Sequence, residues 1–250
     1  MAQLEICLED VGGAVIAEAS GADRVELCSA LSEGGLTPSA GLVRRVLATT
    51  TRIGVQVLIR PRAGDFVFTP EELEVMFEDV RQLASPGRVG FVIGALTPSG
   101  EIDRAVLERL LEACGDAPVT FHRAFDACRD LPEALDVLIS QGVSRVLTSG
   151  GAKTALEGAA GLRSLVEQAD RRIMVLAGGG VRPGNVAELV RRTGVAEVHC
   201  RAAESIASAA RYTNPALTYD EGRRPVTSAA LVAAMRAALD QAASDAATVP

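Results

Sequence analysis

The chain has 250 residues, a net charge of −7, a 48% hydrophobic composition and no tryptophan. That charge excludes the basic face of a general nucleic-acid binder, and the absence of an 18-residue apolar run excludes a helical membrane span. With only 3% aromatic residues, the core must be aliphatic.

The chain enters a strand at once, at 4–8 ("LEICL"), without the basic and then apolar segments of a leader, so a cytoplasmic location is expected. Five cysteines without CxxC spacing fit reduced thiols in that compartment. Apolar runs of strand length then alternate with helical periods. Strands are expected at 4–8, 24–28, 54–60, 88–94, 117–123, 144–148, 172–177 and 196–200, with helices at 11–20, 39–49, 70–84, 101–114, 131–141, 152–169 and 183–193. "TPEE" at 69–72 supplies a capping Thr, a first-position Pro and first-turn acids, and "DLPEAL" at 130–135 does likewise. Residues 201–226 show no periodicity and are expected to be irregular, over a barrel mouth or at a subunit contact. An Ala-rich helix near 227–244 follows, and "AASDAATVP" at the end reads as a frayed tail. Eight strands alternating with eight helices, without a shift in composition, predict one (β/α)8 TIM barrel over residues 1–250. A doubly wound open sheet is the rival, and the lack of GxGxxG after the first strand counts against it.

Strand alternation then places the polar residues. Glu5 and Cys7 share one face of the first strand, Glu26 and Cys28 one face of the second, and Glu197 and His199 one face of the eighth. In a closed barrel these strands are neighbours, so the six side chains point into the interior together, with Cys or His nearer the C-terminal mouth. Thr120 and His122 on the fifth strand and Gln56 and Arg60 on the third join them. Branched aliphatics normally fill such a barrel, and buried charges are costly unless paired, so a functional cavity explains the pattern better than packing does. Cys7 and Cys28, completed by His199, suit copper(I), a soft ion that accepts two or three sulfur or nitrogen ligands. Buried cysteine as a small hydrophobe is the plain alternative.

Two glycine-rich loops, "LTSGGA" (147–152) and "LAGGGV" (176–181), each follow a strand and open onto a helix. Their backbone amides at Ser149, Gly150, Gly151, Gly178, Gly179 and Gly180 form a candidate anion site, unless the glycines only close tight turns. "TFHRAFD" and "IRPRAGDF" cluster His122, Arg123 and Asp126, and Arg60, Arg62 and Asp65, as acid–base groups with anion clamps or as structural Arg–Asp latches.

Taken together, "GADRVELCSALSEGGLTPS", "IRPRAGDF", "GALTPSGEID", "TFHRAFD", "RVLTSGG", "AGGGV", "EVH" and "RYTN" resemble the CutC family. The resemblance implies a cytoplasmic TIM barrel, a homo-oligomer (dimer or tetramer), associated with copper. It carries the copper(I) cysteines to Cys7 and Cys28 and the polar mouth residues to Glu5, Glu26, Arg60, His122 and His199. Cys200 and Arg201 depart from the serines usual after the last-strand histidine, and Lys153 replaces an uncharged polar residue. Two functions follow as expectations. One is copper(I) binding through Cys7, Cys28 and His199. The other is acid–base catalysis on a small anionic or phosphorylated metabolite by His122 with Glu5, Glu26 or Glu197 and Arg60, the anion resting on the glycine loops.

Overall fold

A computed structural model describes residues 2–84, 88–216 and 222–247. The strands β1 (Gln3–Leu8), β2 (Arg24–Leu27), β3 (Gly54–Leu58), β4 (Val89–Ile93), β5 (Val119–Phe121), β6 (Arg145–Thr148), β7 (Met174–Gly178) and β8 (Glu197–Cys200) form a closed parallel barrel in chain order. Between them run α1 (Val11–Ala19), α2 (Ala40–Thr49), α3 (Pro70–Leu83), α4 (Arg104–Cys114), α5 (Leu131–Ser140), α6 (Ala159–Ala169) and α7 (Val186–Thr193). The architecture is a TIM barrel.

Local chemistry sets the helix starts. Thr69 and Glu72 form a reciprocal capping box around Pro70 at the start of α3, and the Asp130 side chain caps α5 by accepting from Glu133 N. The sixth helix begins at Ala159 rather than 152. Thr154 and Glu157 close a separate turn on each other, and Gly158 then lies so close to the Ser149 carbonyl that a Cβ there would fall 1.9 Å from its oxygen. Outward strand residues such as Leu4, Ile6, Val25, Leu27, Val55, Val57 and Val198 pack against the helices and carry the aliphatic core. Each such side chain contributes about 1.5–3 kcal/mol on burial.

The segment 201–226 is not irregular throughout. β9 (Ala203–Ala207) pairs antiparallel with β10 (Arg223–Thr227), outside the barrel. Most of its residues are exposed, so no apolar alternation marked the hairpin. Its base borders the mouth: Arg201, Pro225, Val226 and Thr227 line a cleft shared with Cys7. The last helix, α8 (Ala229–Ala247), extends through most of the stretch expected to fray, and residues 248–250 lie outside the described residues. Among the described residues no helix is long and apolar enough to cross a membrane.

Candidate metal and ligand site at the barrel mouth

The lower barrel interior is charged, and the charges are paired. On β2 the alternation that turns Glu26 inward also turns Arg24 inward, two residues earlier. Arg24 Nε donates to Glu5 Oε2, while its Nη2 donates to Glu197 Oε2 at 2.5 Å and its Nη1 to Gln3 Oε1 at 3.2 Å. A second guanidinium, Arg145 on β6, donates from Nε to Glu197 at 2.6 Å and from Nη1 to Thr120 Oγ1 at 3.2 Å. Two carboxylates thus meet two guanidiniums across β1, β2, β6 and β8, the arrangement that makes buried charge tolerable. Burial works to raise the Glu5 carboxyl, but its hydrogen bond with His199 and the charge of Arg24 outweigh burial and hold it at about 2.

Above this layer the barrel register brings the polar ends of β1, β2 and β8 together. Cys7 lies opposite Glu26 and Glu5 opposite His199. The imidazole Nδ1 of His199 is 2.7 Å from Glu5 Oε1, and its Nε2 is 3.7 Å from Glu26 Oε2. Donor atoms of Cys7, Glu26 and His199 all lie within 4.8 Å of one another. Burial alone would lower His199, but Cys7, Glu5 and Glu26 around it raise it well above the usual histidine range. Burial pushes Glu26 up to about 7, against the attraction of His199.

Cys28 stands beside this trio rather than in it. It packs with Cys7, Leu58 and Val92 beneath Leu31, and its thiol is 3.9 Å from the Glu26 carbonyl. Burial, reinforced by Glu26, raises it well above the usual thiol range, so it is a neutral thiol. Cys7 donates to the Cys200 carbonyl at 3.6 Å. Cys200 itself belongs to the aliphatic core between barrel and helices, as its opposite facing on β8 requires.

The facing wall carries His122 and Arg60. Ala124 N donates to His122 Nδ1 at 3.1 Å, and the ring lies over Gly94, where a Cβ would fall 2.4 Å from Cε1. Burial, aided by the charge of Arg60, drops His122 to about 3. With Nδ1 accepting from Ala124 N, the neutral ring carries its proton on Nε2. Arg60 ties loops together, with Nη1 donating to the Glu33 and Gly35 carbonyls at 3.1 and 3.0 Å and Nη2 to Gly64 at 2.8 Å. Between the two walls lies a cavity of about 240 Å³, lined by Cys7, Glu26, His199, Arg60 and His122 among others.

The first glycine loop is corrected. The amides expected to hold an external anion already hold an internal one: Asp126 accepts from Ser149 N at 3.0 and 3.1 Å and from Gly151 N at 3.1 Å. Gly150 N donates to Thr148 Oγ1 at 2.9 Å. In the second loop Gly178 ends β7, where a Cβ would meet Leu147 at 2.5 Å, and Gly179 and Gly180 turn with φ of +101° and +70°. Their carbonyls accept from Ala155 N and Asn185 Nδ2, bonds that fasten the turn and do not involve their amides. The Arg–Asp motifs are latches. Arg123 binds Asp126 at 2.8 Å and Ser149 Oγ at 2.8 Å, and Arg62 binds Asp65 at 3.0 Å and Glu72 at 2.6 Å.

Comparison with known proteins agrees with this fold. The sequence profile of the CutC family matches residues 2–204. A family protein CutC of Bacteroides thetaiotaomicron is 44% identical over 235 residues, 91% of this chain and 94% of that protein. A human protein named copper homeostasis protein cutC homolog is 45% identical over 211 residues, 84% of this chain and 77% of its own length. A crystal structure of CutC from Streptococcus agalactiae superposes with a TM-score of 0.76 at 34% identity, covering 80% of this chain and 98% of that one. The barrel and these relatives have one reading: the chain belongs to the CutC family, of which the human and Streptococcus agalactiae proteins are named for copper homeostasis.

Proposed function

We propose that this protein binds copper(I) in the cytoplasm, holding the ion at the barrel mouth through Cys7 and His199 with Cys28 as the adjacent sulfur. The carrying observation is the orientation of His199. Glu5 takes its Nδ1 side at 2.7 Å, which directs Nε2 toward Cys7 and Glu26. A carboxylate that fixes the far nitrogen of an imidazole is the usual support of a histidine ligand. A thiolate and an imidazole suit a soft monovalent ion better than zinc, for which four ligands are expected. Glu26, a hard donor near neutrality, serves as acceptor for protons that ligands release when metal binds. All five cysteines are unpaired, in keeping with a reducing compartment.

Acid–base catalysis on a metabolite has less support, since the first glycine loop is filled by Asp126 and burial makes His122 a weaker base. The test of the copper reading is an anaerobic competition titration against a copper(I) chelator. One ion per chain is expected, lost in the Cys7→Ser, Cys28→Ser variant. Unchanged affinity in that folded variant would rule the reading out.

A further inference from the structure

Copper leaves the opposite wall of the cavity unexplained. His122 Nε2 and Arg60 Nε are buried without a hydrogen-bond partner, on residues only 5% and 6% exposed. Buried donors are nearly always paired in native proteins, so two orphans on one wall point to an absent partner. Neither is of use to a cation, because both present N–H groups. The tautomer of His122 is fixed by its own backbone: Nδ1 accepts from Ala124 N, so the proton sits on Nε2. Arg60 spends both Nη1 protons and one Nη2 proton on carbonyls, which leaves Nε–H and the second Nη2–H to donate.

The surroundings specify the charge and body of that partner. Arg60, Arg123 and Arg201 all line the cavity; Arg123 is paired with Asp126 and Arg201 with Glu9, whereas Arg60 binds only backbone carbonyls and brings the charge that an anion would meet. The rest of the lining includes Leu58, Phe66 and Leu147, an apolar surface suited to a carbon skeleton. Phe66 also covers the two orphans. Its ring centroid is 5.0 Å from that of His122, and the Arg60 guanidinium carbon is 5.1 Å from it.

We propose that this wall is a binding subsite for a small organic carboxylate, whose oxygens accept from His122 Nε2–H and Arg60 Nε–H once the Phe66 ring moves off them. The carbon body lies against Leu58 and Leu147, and Arg123 and Arg201 at the rim draw the anion in. A cavity of about 240 Å³ admits a molecule of only a few carbons. Inorganic phosphate is a poorer match. Two single donors beneath an aromatic ring do not surround four oxygens, and the backbone nest that could, at Ser149–Gly151, is filled by Asp126. The subsite does not depend on the copper reading, since none of its donors belongs to the Cys7, Glu26 and His199 cluster.

The experiment uses the metal-free, full-length protein labelled with 15N-histidine, titrated with malonate, with pyruvate and with phosphate. Saturable binding of a carboxylate at one per chain is expected, with a shift of the His122 Nε2–H resonance and no competition from phosphate. His122→Phe weakens carboxylate binding about tenfold or more, and Arg123→Ala, at the exposed rim, weakens it less. Phe66→Ala binds at least as tightly as the parent. Carboxylate binding is read on the metal-free protein and copper binding by chelator competition, so failure of the copper reading and failure of this one are distinguishable. If His122→Phe does not fold, the parent's own imidazole resonance decides. No saturable carboxylate binding, an unmoved His122 resonance, or displacement by phosphate would overturn the proposal.

Discussion

The imidazole of His199 and the carboxylate of Glu5 meet at 2.7 Å across the seam between β8 and β1. This contact joins the two layers of the barrel interior, because the same carboxylate also receives Arg24 from below. The charged lower layer therefore aims the histidine of the upper one.

Glu5→Gln should break that link while leaving the shape nearly intact. Glu5 is among the groups that raise His199, so its removal lowers the histidine's titration point, measurable by 15N NMR of the imidazole. On the copper reading it also weakens ion affinity by about 10–100-fold, the usual effect of losing a carboxylate behind a histidine ligand.

Arg24→Met should be severely destabilising. It leaves Glu5 and Glu197 buried with a guanidinium removed, and breaking a buried pair this way costs about 3–5 kcal/mol. Urea denaturation at pH 7 checks this, and a change within about 0.5 kcal/mol, the range of a surface substitution, would contradict the pairing.

Two of the inward glutamates, Glu5 and Glu26, act oppositely on pH dependence. Glu5 is lowered from 4.5 to about 2, so its contribution is fully present above pH 4.5 and is lost as pH falls toward 2. Glu26 is raised from 4.5 to about 7, so it favours the fold below pH 4.5 and loses that contribution as pH rises through 7. Glu26→Gln should therefore gain stability relative to the parent between pH 5 and pH 8, by on the order of 2–3 kcal/mol. Denaturation curves at those two pH values measure the difference. A gap that narrows with rising pH would contradict the account.

Asp126→Asn should loosen the loop after β6. The carboxylate holds the amides of Ser149 and Gly151, the hydroxyl of Thr148 and the Arg123 guanidinium. Faster amide exchange at Ser149 and Gly151 is expected, with a stability loss of about 1–3 kcal/mol.

Much of this was legible because strand alternation is strict. Glu5 with Cys7, Glu26 with Cys28 and Glu197 with His199 all follow from a period of two, and the closed barrel then makes their strands neighbours. Extending the period by one step would have found Arg24, which shares the Glu26 face, and Arg145, which shares that of Leu147. What alternation cannot supply is distance. That His199 meets Glu26 and Cys7, while Cys28 packs against Cys7 with Leu58 and Val92, depends on stagger between strands. Loop partners were equally hidden: "SGG" reads as an empty anion nest until the chain returns Asp126 to it from β5. The neutral state of His122 depends on Gly94 and Phe66, residues remote in sequence that remove water from its ring.

X-ray absorption spectroscopy of the anaerobically copper(I)-loaded protein tests the central claim most directly. The account predicts a two- or three-coordinate ion with sulfur and imidazole nitrogen in its shell, the nitrogen lost in His199→Ala and the sulfur in the double cysteine variant. A shell of oxygen and nitrogen alone, or one unchanged by those substitutions, would contradict it.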